Sequence, residues 1–272
     1  MIAITGASGQ VGALLCEQLA DRSISTAPLG KNDQWRPAIR SSRAVAHLAG
    51  TLQPRRPDDY ESANVRTTEV VAAAARDSGV ERIVFLSYVG ASPDSPNAYL
   101  RSKARAEDIL LDSGIPTTIF RCLHIFGPPD VPGPTAAAFL QRRGPVVVLG
   151  SGTQRIAPLF LADVTDAVER ALLDPDAPSG VFDLGGPEEM AMDDFVHALN
   201  HGRARIVHLP PSLAQLAGRV LPSLTPALVD LLVRDNVVKG LNRSAVDAFE
   251  LRLRSVDEVW NRSASVRGSA PG

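Results

Sequence analysis

Cysteine is scarce. Only Cys16 and Cys122 occur in 272 residues, and their spacing suggests neither a disulfide scaffold nor a metal site, which fits a reducing compartment. Neither sign of charge is in excess: 28 basic and 30 acidic side chains give a net charge of -2. The chain therefore has no cationic surplus with which to neutralise nucleic-acid phosphates or bind an anionic membrane. Long apolar runs are missing too, since the stretches 70–75 and 145–149 fall well below the roughly 20 residues a helix needs to span a bilayer. No basic segment followed by an apolar stretch opens the chain, and internal repeats are absent. The expectation is a cytoplasmic protein with a small-molecule substrate, no nucleic-acid or membrane partner, and a monomeric or homodimeric state.

What is present is ordinary globular composition, 44% hydrophobic and 21% charged, enough for one large core or a core plus a small lobe. Short apolar or β-branched runs alternate with Ala/Leu-rich segments of helical period, the pattern of parallel strands joined by crossover helices. Strands are expected at Met1–Thr5, Ser25–Leu29, Ala44–Leu48, Arg82–Ser87 and Pro116–Leu123, with helices near Val11–Ala20, Val65–Ser78 and Leu100–Ser113. A proline-rich excursion covers about 127–145, where prolines lack the N–H groups that a ladder needs. Val146–Leu149, Leu159–Phe160, a helix over Asp163–Leu173 and a last strand at Gly180–Leu184 follow, and from Met192 the reading is mostly helical. The fold class is α/β, a Rossmann-type doubly wound parallel sheet with a small, mostly helical C-terminal lobe. Residues 1–186 are expected to form this sheet domain, and 187–272 the C-terminal lobe and a frayed tail.

Glycines at 6, 9 and 12 in Thr5-Gly6-Ala7-Ser8-Gly9-Gln10-Val11-Gly12 stand directly after the first strand and open the first helix. Gly6 permits a tight turn, Gly9 lets backbone N–H groups approach a pyrophosphate, and Gly12 lets helix and strand pack closely. The alternative is an ordinary strand-to-helix turn. The spacing Gly-x-x-Gly-x-x-Gly resembles that of the short-chain dehydrogenase/reductase superfamily. Further landmarks carry the resemblance along nearly the whole chain: His47-Leu48-Ala49-Gly50, Asn64-Val65, the strand ending at Ser87, and Tyr99-x-x-x-Lys103. Arg121 with Phe126-Gly127-Pro128 is similar to a segment of the extended and atypical branches, with Cys122 in place of the usual proline. The run Ser87–Pro93 followed by Tyr99–Lys103 looks like the atypical, NmrA-like group, which includes the NAD(P)-binding accessory subunit of respiratory complex I and holds both reductases and non-catalytic nucleotide binders.

Tyr99 and Lys103, four apart, would project from one helical face, and an ammonium beside a phenol favours the phenolate, making Tyr99 a general acid or base. The resemblance implies that Ser87 polarises a substrate carbonyl, that Lys103 also bonds the nicotinamide ribose, and that Asn64 holds a relay water. It further implies cofactor contacts from Thr5, Gly6, Ser8, Gly9, Gln10, Val11, Gly12, Leu48, Ala49, Gly50 and Arg121. His47 reads as packed beside the cofactor, His124 as facing substrate or structural, and Asp163 as opening its helix. Lys31 falls where NADP-using relatives carry arginine, which leans toward NADP, although Asp33 stands near enough to reverse that preference. Between Lys31 and Ala44 there is room for one short helix around Gln34–Ile39 but not for the usual helix, strand and helix, so one strand and the acidic motif beside adenine are missing. Three functions remain: an NAD(P)H-dependent oxidoreductase acting on a small carbonyl or alcohol held between the sheet and the C-terminal lobe, a non-catalytic NAD(P)-binding sensor or assembly protein, and a sugar-nucleotide epimerase or dehydratase.

Overall fold

The alternating pattern folds as a parallel sheet. A computed structural model of the chain describes residues 1–30, 34–53, 59–141, 143–217, 224–240 and 242–261. In chain order β1 (Ile2–Thr5), α1 (Gln10–Asp21), β2 (Thr26–Leu29), α2 (Trp35–Arg40), β3 (Ala44–His47), α3 (Thr67–Arg76), β4 (Arg82–Tyr88), α4 (Ala98–Leu111) and β5 (Thr117–Cys122) build most of it. Strands Gly180–Leu184 and Arg243–Ser244 complete seven, in the order Arg243–Ser244, Gly180–Leu184, β5, β4, β3, β1, β2. Every pair is parallel. β1 and β3 are buried on both faces, which is why these strands read as unbroken apolar runs and not as alternating ones.

The register brings Thr5 level with Leu29 on one side and His47 on the other. After β2 the chain crosses back over β1 to enter β3, so the strand order reverses at β1, and the crevice outside the carboxyl ends of these strands is where an open α/β sheet takes its ligand. β2 is the edge, and among the described residues no strand lies beyond it, as the short Lys31–Ala44 segment predicts. Pro28 sits in this strand, a placement an edge tolerates because a proline cannot donate to a further ladder.

Two compact units result. The first comprises Met1–Cys122, Val164–Leu184 and Gly240–Leu251, with a core in which Val45, Ile83, Phe85 and Ile119 from the sheet pack against Val71, Ala75 and Leu110 from the helices. The second comprises Leu123–Asp163, Gly185–Lys239 and the segment from Arg252, packed around Phe126, Phe160, Phe195 and Trp260. Gly180–Leu184 is not the last strand. Arg243–Ser244 pairs with it, and Ile206–Leu209 pairs in parallel with Val146–Leu149 inside the second unit, amid helices Met192–Leu199, Pro211–Ala217 and Pro226–Val233. Among the described residues no helix is long and apolar enough to cross a membrane.

Candidate dinucleotide site

The glycine loop is shaped by three different constraints. Gly6 has φ +70°, and a Cβ there would stand 2.8 Å from the backbone of Leu48 and Ala49, so the β1 turn lies directly against the end of β3. Gly12 presses α1 onto the loop, since its Cβ would come within 2.4 Å of the Gly6 carbonyl oxygen. Gly9 differs from both: it has ordinary extended backbone (φ −79°, ψ 166°), and only the Gly6 oxygen, at 3.2 Å, faces its Cβ direction. Gly9 is also the N-cap of α1, with no side-chain cap and no acidic residue in the first turn. The first N–H groups of that helix are thus left to a ligand, and the positive end of its dipole favours an anion.

A cleft of about 650 Å³ opens here, within the volume range of small-molecule sites. Gly6, Ser8 and Gly9 form one wall, Leu48, Ala49, Gly50 and Thr51 another, and Trp35, Ser62 and Thr67 line it further along. Six of the expected cofactor residues therefore meet at one hollow. Gln10, Val11 and Gly12 stand in the first turn of α1, and Lys31 and Asp33 lie outside the described residues.

Thr5 takes a different place from the one expected. It is fully buried, its hydroxyl accepts from the Ala49 N–H (3.2 Å), and the same oxygen bonds His47 Nδ1 (2.7 Å). His47 Nε2 in turn bonds the Thr68 hydroxyl (2.9 Å), so a buried polar chain links β1, β3 and α3 beneath the cleft. Burial, with the nearby Lys103 cation, pulls the His47 pKa down from 6.5 to about 3, and the ring is neutral. An unfolded histidine protonates below about pH 6.5. Unfolding consequently takes up a proton as pH falls from 6.5 toward 3, and the folded state loses stability over that window. Going from pH 7.5 to 5.0 should cost about 2 kcal/mol through His47 alone. Urea unfolding at the two pH values measures this, and His47→Gln, whose amide can still reach both threonines, should flatten the dependence by that amount.

Asn64 lies in a π-helical segment, Glu61–Arg66, that leads into α3. Its Oδ1 accepts from the Thr51 N–H (2.8 Å) and its Nδ2 donates to Ser102 Oγ (2.8 Å) and the Thr51 carbonyl (3.3 Å). The amide staples the Gly50–Thr51 wall of the cleft to α4.

α4 begins under the cap of Asn97, whose Oδ1 accepts from the N–H groups of Tyr99 (3.0 Å) and Leu100 (3.4 Å). Tyr99 stands partly buried in the first turn, with the Tyr88 ring 5.7 Å away edge-on and the Tyr60 ring 6.0 Å away, so all three tyrosines of the chain meet. Burial, then Cys122 and Tyr60, raise the Tyr99 pKa above the usual phenol value. Lys103 is not among these causes. Its ammonium donates to the Leu86 carbonyl and sits 4.0 Å over the Phe85 ring, and burial pulls its pKa down to about 8 against the opposing pull of Glu107. The same ammonium is 4.0 Å from where a Gly50 Cβ would stand, so it is buried just behind Gly50.

Ser87 and Arg121 both turn to a residue that sequence reasoning missed. The Ser87 hydroxyl donates to Glu107 Oε1, and Arg121 grips both Glu107 oxygens, through Nε at 3.0 and 3.2 Å and Nη2 at 2.6 Å. Glu107 is 3% exposed. The three form a clamp between α4, β4 and β5 around the buried Glu107 carboxylate. The signal was present in the sequence, since Glu107 follows Lys103 by four on one helical face, but that spacing reads equally as a solvated pair. In the second unit, His124 is buried and held neutral, its pKa lowered to about 4, and Asp163 accepts from Arg254, so both have structural places there.

Residues 2–185 match the model of the NAD dependent epimerase/dehydratase family. The chain is 32% identical over 256 residues to the mitochondrial NADH dehydrogenase [ubiquinone] 1 alpha subcomplex subunit 9 of Mus musculus, covering 86% of this chain and 66% of that one. It is 33% identical over 135 residues to the UDP-2-acetamido-2,6-beta-L-arabino-hexul-4-ose reductase of Pseudomonas aeruginosa, covering 46% of this chain and 36% of the reductase. The chain spans about half to two thirds of the length of the first curated relatives it matches. MoeE5, solved in complex with UDP-glucuronic acid and NAD, shares the fold with a TM-score of 0.72 at 19% identity, over 97% of this chain and 99% of that one.

Proposed function

The chain belongs to the NAD dependent epimerase/dehydratase family, and from that premise we propose that it is an NAD(P)H-dependent reductase of a small carbonyl compound. The observation that carries the cofactor half is the uncapped N-terminus of α1 facing a cleft walled by Gly6, Gly9 and Gly50. Ser8, Gly9 and the first-turn amides would hold the pyrophosphate, with Leu48 to Thr51 along the dinucleotide and Lys103 buried behind Gly50. When bound, the nicotinamide supplies the hydride.

Tyr99 supplies the proton. With its pKa at or above the usual phenol value, it is a neutral phenol near neutral pH and would protonate the oxygen of a carbonyl as that oxygen becomes an alkoxide. Carbonyl compounds of the sugar-nucleotide class are the first substrates to try, given the named reductase relative.

The second reading, a nucleotide binder without turnover, draws on one observation: the Ser87 hydroxyl and the Asn64 amide are both engaged inside the protein. Oxidation of NADPH, followed by its absorbance against a panel of keto-sugars and aldehydes, separates the two. For the reductase, Tyr99→Phe should retain nucleotide binding and lose about 10²- to 10⁴-fold in turnover. Saturable nucleotide binding with no turnover of any compound would favour the second reading, whereas turnover indifferent to Tyr99→Phe would remove Tyr99 as the proton donor.

A further inference from the structure

The second unit carries a parallel ladder of its own, Val146–Leu149 with Ile206–Leu209. Two bonds fix its phase: the Val146 N–H donates to the Arg205 carbonyl (2.7 Å) and the Gly150 N–H to the Leu209 carbonyl (2.9 Å). Successive residues of a strand turn their N–H and C=O groups to opposite sides, so Ile206 and His208 direct theirs away from Val146–Leu149. Among the described residues nothing bonds these outward groups. The opposite edge of the ladder is partly closed, because Gln154 Nε2 donates to the Leu149 carbonyl (2.7 Å). Ile206–Leu209 is thus an open edge, and it lacks the proline, lysine or bulge that usually blunts one.

Two observations say what fits it. The outward-facing residues flank Val207, one on each side. An antiparallel copy of the same strand, turned about a two-fold axis at Val207, sets Ile206 opposite His208 twice, and each such pair exchanges two hydrogen bonds. Charge agrees with that direction. Arg203 and Arg205 stand exposed at the start of the strand with no carboxylate partner among the described residues, whereas Asp193 is held toward its far end by His208 Nε2 (2.9 Å). Antiparallel pairing keeps the arginines of the two copies apart and turns each set toward the Asp193 end of the other, while parallel pairing would stack like charges. Val207 and its register partner Val147, each about half exposed (48% and 49%), share one face. In the paired sheet Val207 meets its own counterpart in a close, non-hydrogen-bonded pair at the centre of a row of valines.

We propose that this edge is a self-association surface: two copies of the chain pair Ile206–Leu209 antiparallel about Val207, joining their ladders into one four-stranded sheet. The contact is small, so the dimer forms with a Kd on the order of 10 µM.

Sedimentation equilibrium of the full chain from about 1 to 200 µM tests this without any ligand. The wild type should pass from monomer to dimer over that range. Val207→Lys and Val207→Glu place like charges across the axis at an exposed site, and each should weaken association about tenfold or more with an unchanged thermal midpoint. Mixed in equal amounts, the two variants should associate within about threefold of the wild type, because opposite charges then meet. Val147→Lys, on the same face but one strand from the axis, should weaken association less than about threefold. A wild type that stays monomeric throughout would overturn the proposal and leave the edge to a different chain. Val207 variants that associate like the wild type, or a mixture that stays apart, would remove the two-fold at Val207. Equal damage from Val147→Lys and Val207→Lys would move the contact from the strand edge to the valine face and so contradict the pairing.

Discussion

Replacing Gly9 with aspartate should weaken nicotinamide-dinucleotide binding by about a hundredfold or more while the fold holds. The two halves of this expectation come from the same position. Gly9 has backbone angles open to any residue, and its Cβ would face only the Gly6 oxygen at 3.2 Å, a contact relieved by a shift of a few tenths of an ångström. Aspartate is also a good N-cap, so α1 gains the side-chain cap it lacks, a change worth roughly a few tenths of a kcal/mol over glycine. The added carboxylate satisfies the N–H groups a pyrophosphate needs and repels its charge. Thermal unfolding should therefore show an equal or higher midpoint alongside lost binding. Loss of binding together with a collapsed midpoint would mean that Gly9 is a folding residue only.

Glu107→Leu should cost about 3–5 kcal/mol of unfolding free energy, the range for removing one member of a buried ion pair. The substitution leaves Arg121 without its partner in β5 and the Ser87 hydroxyl without an acceptor in β4. Adding Arg121→Met should recover much of the loss, because the penalty lies in the stranded cation more than in the missing attraction. Urea unfolding of the three proteins measures both effects. A single-variant loss below about 1 kcal/mol would show that solvent reaches the clamp easily enough to take the place of Glu107.

The main sheet was legible in the sequence because its strands are short apolar runs with turn residues at both ends, and the buried centre of a parallel sheet demands just that. The edge position of β2 was legible from a count, since Lys31–Ala44 has room for one short helix but not for a helix, a further strand and a second helix. Two features hid. Arg243–Ser244 joins the sheet through two residues, too few to show a period. Ile206–Leu209 pairs with Val146–Leu149 across nearly sixty intervening positions, within a stretch whose leucines and alanines are spaced like helix, and local pattern carries no sign of so distant a partner.

The turns at Gly6 and Gly12 were equally legible, because the backbone packed against each leaves no space for a side chain. The helix α4 was less so. Tyr99 and Lys103 share a face as their spacing says, but their electrostatics depend on what α4 packs against: Phe85 and the Leu86 carbonyl hold the ammonium, and rings from Tyr60 and Tyr88 surround the phenol. Trp35 lay within a segment expected to hold one short helix, and only the fold shows that the first residue of this helix lines the glycine-loop cleft.

Backbone amide shifts of the ¹⁵N-labelled full chain during titration with NADPH or NADH test the central claim most directly, because they report where a dinucleotide lies and require no turnover. Saturable shifts concentrated on Ser8 to Gly12 and on Leu48 to Thr51 are the predicted result. Unchanged amides at the N-terminus of α1 in the presence of saturating nucleotide would contradict the account, whatever reaction the protein carries out.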